Sequence, residues 1–170
     1  TYNRQMEPKV AMSPNGNFVV IWSSLVQDGS GWGIFGQRFD SDGNAIGTEF
    51  QVNNIVESAQ LSPDVAMDAV GNFVVTWQID NDNTPDAKAR LFTADGLPRG
   101  NEFLVTTMTG AQNAKKVSMD VAGNFIILWI NRTTLGADDG QLFYQYYAAD
   151  GTPIGSEVAV MDSPLWMRDL

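Results

Sequence analysis

One seven-residue pattern occurs three times and constrains the fold more than any other feature of the chain. Its copies are Gly-Asn-Phe-Val-Val-Ile-Trp at 16–22, Gly-Asn-Phe-Val-Val-Thr-Trp at 71–77 and Gly-Asn-Phe-Ile-Ile-Leu-Trp at 123–129. A repeat of roughly 50 residues indicates stacked supersecondary units. The β-branched and aromatic residues predict a strand. Both of its faces are apolar, so the strand has to be covered on both sides.

A second shared segment follows each copy and contains an Asp-Gly dipeptide between apolar runs, at 42–43, 95–96 and 150–151. This dipeptide predicts a hairpin, because glycine accepts a positive φ. A short apolar strand also precedes each Gly-Asn-Phe. Each repeat is therefore predicted to be a meander of four strands. No stretch has helical periodicity, and we predict an all-β chain.

We predict a single repeat domain over residues 1–170, with repeats at about 5–57, 58–110 and 111–170. Four-stranded units of this length, with a central strand buried on both faces, are typical of β-propeller blades. A three-fold closed fold such as a β-trefoil or a β-prism is the alternative, and it explains the number of repeats better. The unit length and the two-sided strands favour the propeller.

The first repeat contains Pro-x-Val-Ala-Met, Gly-Asn-Phe-Val-Val-x-Trp, Gly-Gln-Arg-Phe-Asp-x-Asp-Gly and Glu-Phe-Gln-Val-Asn. This series resembles the propeller-type repeats of large secreted bacterial proteins, where such repeats accompany calcium-binding modules and adhesin-like regions. The second repeat lacks Gly-Gln before Arg90, and the third has Tyr146 and Tyr147 in place of Arg-Phe. The resemblance implies a propeller architecture and a secreted or cell-surface location.

Composition excludes several classes of function. The chain has 20 acidic and 10 basic residues, a net charge of −10, which disfavours nucleic acid and anionic membrane surfaces as partners. No apolar run approaches the roughly 20 residues of a membrane span, so we expect no membrane insertion. Cysteine and histidine are both absent. Their absence excludes thiolate zinc sites, cysteine nucleophiles and serine–histidine triads.

The hairpin turns are nearly constant between repeats, whereas the loops after the tryptophan strands differ. Variable loops on a constant scaffold are where binding commonly resides. Aromatic residues outside the repeated pattern are the candidates for stacking on sugar rings, with blade packing as the alternative. The predicted ligand-binding residues are Trp32, Tyr144, Tyr146 and Trp166.

The same variable loops contain acidic residues at short spacing. Carboxylate oxygens are the ligands that Ca²⁺ prefers, and solvated turn-forming aspartates are the alternative reading. The predicted metal ligands are Asp80, Asp82, Asp138 and Asp139.

The sequence predicts a non-enzymatic extracellular module for binding or adhesion, recognising glycan or protein through the variable loops. We expect no enzyme, because Glu49, Glu102 and Glu157 recur symmetrically. A catalytic pair of carboxylates requires two different environments. The alternatives are a propeller-type polysaccharide hydrolase with paired carboxylates and a structural spacer of a longer surface protein.

Three blades do not close a propeller, since closed rings have four to eight blades. An open blade face exceeds the apolar patch that a monomer usually exposes. We therefore expect either a homo-oligomer, in which two copies form a six-bladed ring, or further repeats of a longer chain.

Overall fold

A computed structural model describes residues 4–80, 85–133 and 139–160. All regular secondary structure in these ranges is β-strand. The strands are β1 (Gln5–Met12), β2 (Phe18–Leu25), β3 (Trp32–Phe39), β4 (Ala45–Gln51), β5 (Ala59–Met67), β6 (Phe73–Asp80), β7 (Asp86–Phe92), β8 (Phe103–Leu104), β9 (Ala111–Met119), β10 (Phe125–Arg132), β11 (Gln141–Tyr147) and β12 (Pro153–Ala159).

The strands form three separate four-stranded sheets, in the orders β1-β2-β3-β4, β5-β6-β7-β8 and β9-β10-β11-β12. We call them blades 1, 2 and 3. Neighbouring strands are antiparallel throughout, as a meander requires. The predicted all-β fold of propeller blades is confirmed, because each ladder of hydrogen bonds stays within one repeat. No described helix is long and apolar enough to cross a membrane.

A recurring aspartate builds the turns between consecutive strands. Asp120 Oδ1 accepts hydrogen bonds from the N–H groups of Ala122 and Asn124, both at 2.9 Å, and its Oδ2 accepts one from Asn124 Nδ2 at 3.0 Å. Gly123 reverses the chain with a φ of 88°. Asp40 and Asp68 make the same three bonds in their own turns. The hairpins predicted at the three Asp-Gly dipeptides are also present, since antiparallel strands or bridges flank each of them.

These turns predict a loss of stability in acid. Hydrogen bonds from Asn124, its side chain foremost, hold the pKa of Asp120 below its ordinary value of 3.8. A lowered pKa in the folded state stabilises the protein above the unfolded pKa, and that contribution is lost as the pH falls through the folded pKa. Urea unfolding between about pH 6 and pH 2 should show that the stability of Asp120→Asn falls less in acid than that of the wild type. Parallel pH profiles would contradict this role.

Each blade has two faces. We call the face with the phenylalanine and tryptophan of the repeat the leading face, and the opposite one the trailing face. The leading faces of blades 2 and 3 pack against the trailing faces of blades 1 and 2. Trp77 and Trp129 are fully buried in these two interfaces, whereas Trp22 is half-buried because no described residue covers the leading face of blade 1.

A glutamine recurs near the start of the first strand of each blade, at positions 5, 60 and 112, and in blades 2 and 3 it bonds the linker between blades. Trp77 Nε1 donates to Gln60 Oε1 at 2.8 Å, and Gln60 Nε2 donates to the carbonyl of Glu57 at 3.0 Å. In blade 3, Gln112 Nε2 donates to the linker carbonyls of Met108 and Gly110. Gln60 and Gln112 thus fix the linker backbone that joins neighbouring blades.

Candidate functional site

The first strands of the three blades lie side by side, β1 against β5 and β5 against β9. They are the inner strands, next to the axis of a propeller. Each is interrupted by a β-bulge at an equivalent position. Within these bulges Glu7 and Ser62 have φ values of 55° and 54°. A left-handed backbone at a residue other than glycine costs on the order of 1–3 kcal/mol and is enriched at functional sites.

A cavity of about 250 Å³ opens at these bulges. All of its walls come from the three inner strands. The lining residues are Glu7, Lys9, Ser62, Pro63, Asn113 and Ala114. We call this space the axial cavity. Glu7, Ser62 and Ala114 each lie two residues after a repeated glutamine, so one scaffold position carries three different side chains.

Glu7 joins the cavity wall to the next blade. Its Oε2 accepts a hydrogen bond from the backbone N–H of Ser62 at 2.8 Å and one from the hydroxyl of Ser23 at 3.4 Å. The Glu7 side chain therefore reaches from β1 to β5, and these two hydrogen bonds fix its carboxylate beside the bulge. Because the equivalent residues in the other blades are serine and alanine, this carboxylate has no counterpart there.

Asp64 follows the cavity residue Pro63 and is buried. Its Oδ2 accepts a hydrogen bond from the N–H of Val117 at 2.9 Å, and its Oδ1 lies 3.7 Å from Lys116 Nζ. The equivalent residues in the other blades, Lys9 and Lys116, are both cations. Glu7 in the cavity wall and Asp64, which follows the wall residue Pro63, are thus two carboxylates in unlike surroundings, and neither has an acidic counterpart in the other blades.

Sequence reasoning missed this pair. It compared features that the repeats share, whereas Glu7 and Asp64 occupy positions at which the repeats differ on an otherwise constant inner strand. That departure from the repeat was the available signal. By contrast, one of the glutamates that do recur, Glu102, joins its blade to the preceding linker: it accepts a hydrogen bond from the N–H of Asn54 at 2.8 Å and pairs with Lys88 of its own blade at 3.8 Å.

Of the described ligand-binding candidates, Tyr144 and Tyr146 share one face of one strand, whereas Trp32 lies in a different blade. Trp32 begins β3 of blade 1, and the Arg4 guanidinium lies 6.0 Å from the centre of its ring. Tyr144 and Tyr146 lie in β11 of blade 3, on its trailing face. Trp166 lies outside the described residues. A role of these side chains in ligand binding stays a prediction.

The two predicted metal ligands that the structure describes lie in different blades. Asp80 ends β6 of blade 2, and Asp139 precedes β11 of blade 3; Asp82 and Asp138 lie outside the described residues. Hydrogen bonds from Thr133 are the main cause that lowers the pKa of Asp139 below 3.8. Within residues 4–80, 85–133 and 139–160, no three acidic side chains are grouped as a metal site requires.

Calcium binding therefore stays a prediction, and a melting experiment tests it. If the loop aspartates hold Ca²⁺, a chelator should lower the melting temperature, because a ligand that binds only the native state stabilises it. Added Ca²⁺ should restore the original value, and Asp80→Asn should reduce the response. Equal melting temperatures with and without the chelator would show that these aspartates only form turns.

No protein-family model and no curated protein matches the sequence. Several solved structures, however, have a fold similar to that of the chain. A Hadza microbial sialidase, Hz136, has a TM-score of 0.64 at 9% identity, over 88% of this chain and 36% of its own. An α-L-arabinanase from Penicillium chrysogenum, complexed with arabinobiose, has a TM-score of 0.64 at 14% identity, over 96% and 51%. The β-propeller domain of the Trilobed protease from Pyrococcus furiosus has a TM-score of 0.54 at 8% identity, over 95% and 44%.

These likenesses confirm the β-propeller fold, and the chain spans 36–51% of the length of the three structures. They do not single out the repeats of adhesin-like proteins. The prediction that the chain is not an enzyme is wrong, because the structures that share its fold include a sialidase and an arabinanase. That prediction rested on carboxylates that recur in every repeat, whereas Glu7 and Asp64 have no acidic counterparts in the other blades.

Proposed function

We propose that the chain supplies three blades of a propeller glycoside hydrolase that cleaves a polysaccharide at the axial cavity. The observation that carries this proposal is a carboxylate, Glu7, in the wall of a cavity built from the inner strands, with a second and non-equivalent carboxylate, Asp64, directly after the wall residue Pro63. Support also comes from the sialidase and the arabinanase, which share the propeller scaffold.

The chemistry of glycosidic cleavage fits two carboxyl groups in unlike surroundings. One protonates the oxygen of the leaving sugar, and the other activates water or attacks the anomeric carbon. Glu7 lines the cavity and is held by a backbone N–H and a hydroxyl, whereas Asp64 is buried against Lys116. Asn113 supplies an amide at the same wall for hydrogen bonds to sugar hydroxyls.

The net charge of the chain limits the class of substrate that it can bind. The net charge of −10 opposes the approach of a polyanion, so we infer a neutral polysaccharide such as an arabinose-containing polymer. A polysaccharide of this kind is found outside the cell, which is consistent with a secreted or cell-surface location of the protein. The proposed partner is therefore a glycan, which contacts the axial cavity and also the variable loops.

Release of sugar from a substrate panel tests the proposal. The full chain is incubated with arabinan, arabinoxylan and a sialylated oligosaccharide, and reducing ends and free sialic acid are measured over time. We expect release from a neutral polymer and none from the sialylated one. A denatured sample is the control for contaminating activity. Absence of release from all substrates, at protein concentrations up to about 100 μM, would overturn the proposal.

A further inference from the structure

Two broad apolar faces of the molecule have no partner among the described residues. On the leading face of blade 1, Val10 is 62% exposed, whereas the equivalent Val65 and Val117 are each 7% exposed. On the trailing face of blade 3, Val160 is 46% exposed, whereas the equivalent Val52 and Val105 are 0% and 3% exposed. Each open face thus repeats a set of residues that is buried wherever a neighbouring blade is present.

The two interfaces within the chain show what these faces contact. The leading face of blade 2 buries Phe73 and Trp77 against Val19 and Ile21 on the trailing face of blade 1. The interface between blades 2 and 3 uses the equivalent positions. A leading face therefore packs against a trailing face, in one direction around the axis. By this rule, the trailing face of blade 3 fits the leading face of blade 1.

The side chains of blade 3 show that its trailing face is built for packing. In blade 1, Gly36 pairs across the sheet with Phe50, and in blade 2 Ala89 pairs with Phe103. Both phenylalanines pack against the next blade. In blade 3 the order is reversed, because Tyr144 pairs with Val158. This pair of positions in blade 3 also has one aromatic and one smaller residue, but the aromatic residue is on β11 and the smaller one on β12. The side-chain volume that the face offers for packing is therefore kept.

We propose that a second copy of this chain covers both faces, with blade 3 of each copy packed on blade 1 of the other. The contact continues the interface that the chain already makes twice within itself. Two such contacts close a six-bladed ring with two-fold symmetry, which is within the range of propellers and is the commonest symmetry of homo-oligomers. A second copy supplies both missing faces at once and leaves neither exposed.

The association has a consequence for the axial cavity. Six inner strands would surround the axis, and the partner's inner strands would complete the wall beside Glu7 and Lys116. This consequence rests on the proposed function, whereas the association itself rests on packing alone. The two fail separately, because association is measured without substrate.

Sedimentation equilibrium of the full chain tests the proposal, and we expect a mass of twice 18.6 kDa. Val10→Glu places a charge on the leading face of blade 1, and Val160→Glu places one on the trailing face of blade 3. Each should weaken association at least ten-fold while circular dichroism still shows a folded β-protein, since both side chains are already exposed in the single chain. Val121→Glu is the matched control, because Val121 is 78% exposed on the turn between β9 and β10.

Mixing the two variants tests the direction of packing. Val10→Glu keeps an intact trailing face and Val160→Glu keeps an intact leading face, so the mixture should regain one contact and associate more strongly than either variant alone. A wild-type monomer at concentrations up to about 100 μM would overturn the proposal. A dimer that Val10→Glu breaks and Val160→Glu leaves intact would overturn it as well, since that result means two leading faces packed together.

Discussion

Replacing Trp77 with alanine should lower the free energy of unfolding by about 3–5 kcal/mol, the usual cost of removing a large buried aromatic side chain. Trp77 is fully buried between blades 1 and 2. Its Nε1 also donates to Gln60 Oε1, and Gln60 is itself fully buried. The variant therefore leaves both a cavity and an amide oxygen without its donor. Urea unfolding monitored by circular dichroism measures the loss.

Trp129→Ala separates the two parts of that cost. Trp129 is buried to the same extent in the next interface, but its Nε1 has no hydrogen-bond partner among the described residues. Its loss should therefore be smaller than that of Trp77→Ala by about 1–3 kcal/mol, the penalty for an unsatisfied buried polar group. Trp77→Phe keeps an aromatic ring in the interface but removes the donor and part of the buried volume, so its cost should lie between that of the lost hydrogen bond and that of Trp77→Ala. If Trp77→Ala and Trp129→Ala each cost less than about 1 kcal/mol, neither position belongs to a packed interface.

The blades could be predicted because their determinants are local and repeat. The Gly-Asn-Phe strand alternates apolar residues on both faces, and the residues around each Asp-Gly dipeptide specify the hairpin, so neither depends on distant contacts. One strand departs from the pattern. β8 is only Phe103–Leu104, whereas β4 and β12 have seven residues each. Gly100 has a φ of 140°, whereas the equivalent Gly47 and Gly155 have φ values of 72° and 74°, so blade 2 resumes its outer strand late.

The axial site could not be predicted in the same way. Glu7 and Asp64 are 57 positions apart in sequence, and only the packing of β1 against β5 brings their strands together. All three inner strands have the bulge, although Pro8 and Pro63 occupy this position in two repeats and a lysine replaces them in the third. The bulge therefore depends on the packing of the strands and not on one local residue type. A comparison of the repeats finds shared structure, whereas an asymmetric site lies where the repeats disagree.

Glu7→Gln and Asp64→Asn should each reduce the hydrolysis of a neutral polysaccharide by about 10²–10⁴-fold, the usual contribution of a positioned general acid or base. Both amides keep an oxygen that accepts the existing backbone hydrogen bond, from Ser62 or Val117. The fold should therefore be kept while the proton transfer is lost. Glu49→Gln is the control, because Glu49 recurs in all repeats and bonds Gln27 away from the cavity.

The steady-state parameters then distinguish catalysis from support of the fold. A group that acts on the scissile bond changes kcat with little effect on the melting temperature, because the missing interaction is made only in the transition state. A group that only ties blade 1 to blade 2 would lower the melting temperature and leave kcat of the folded fraction unchanged. If both variants keep kcat within about two-fold of the wild type, the carboxylates only hold the inner strands together. The reacting groups of the propeller would then have to come from elsewhere.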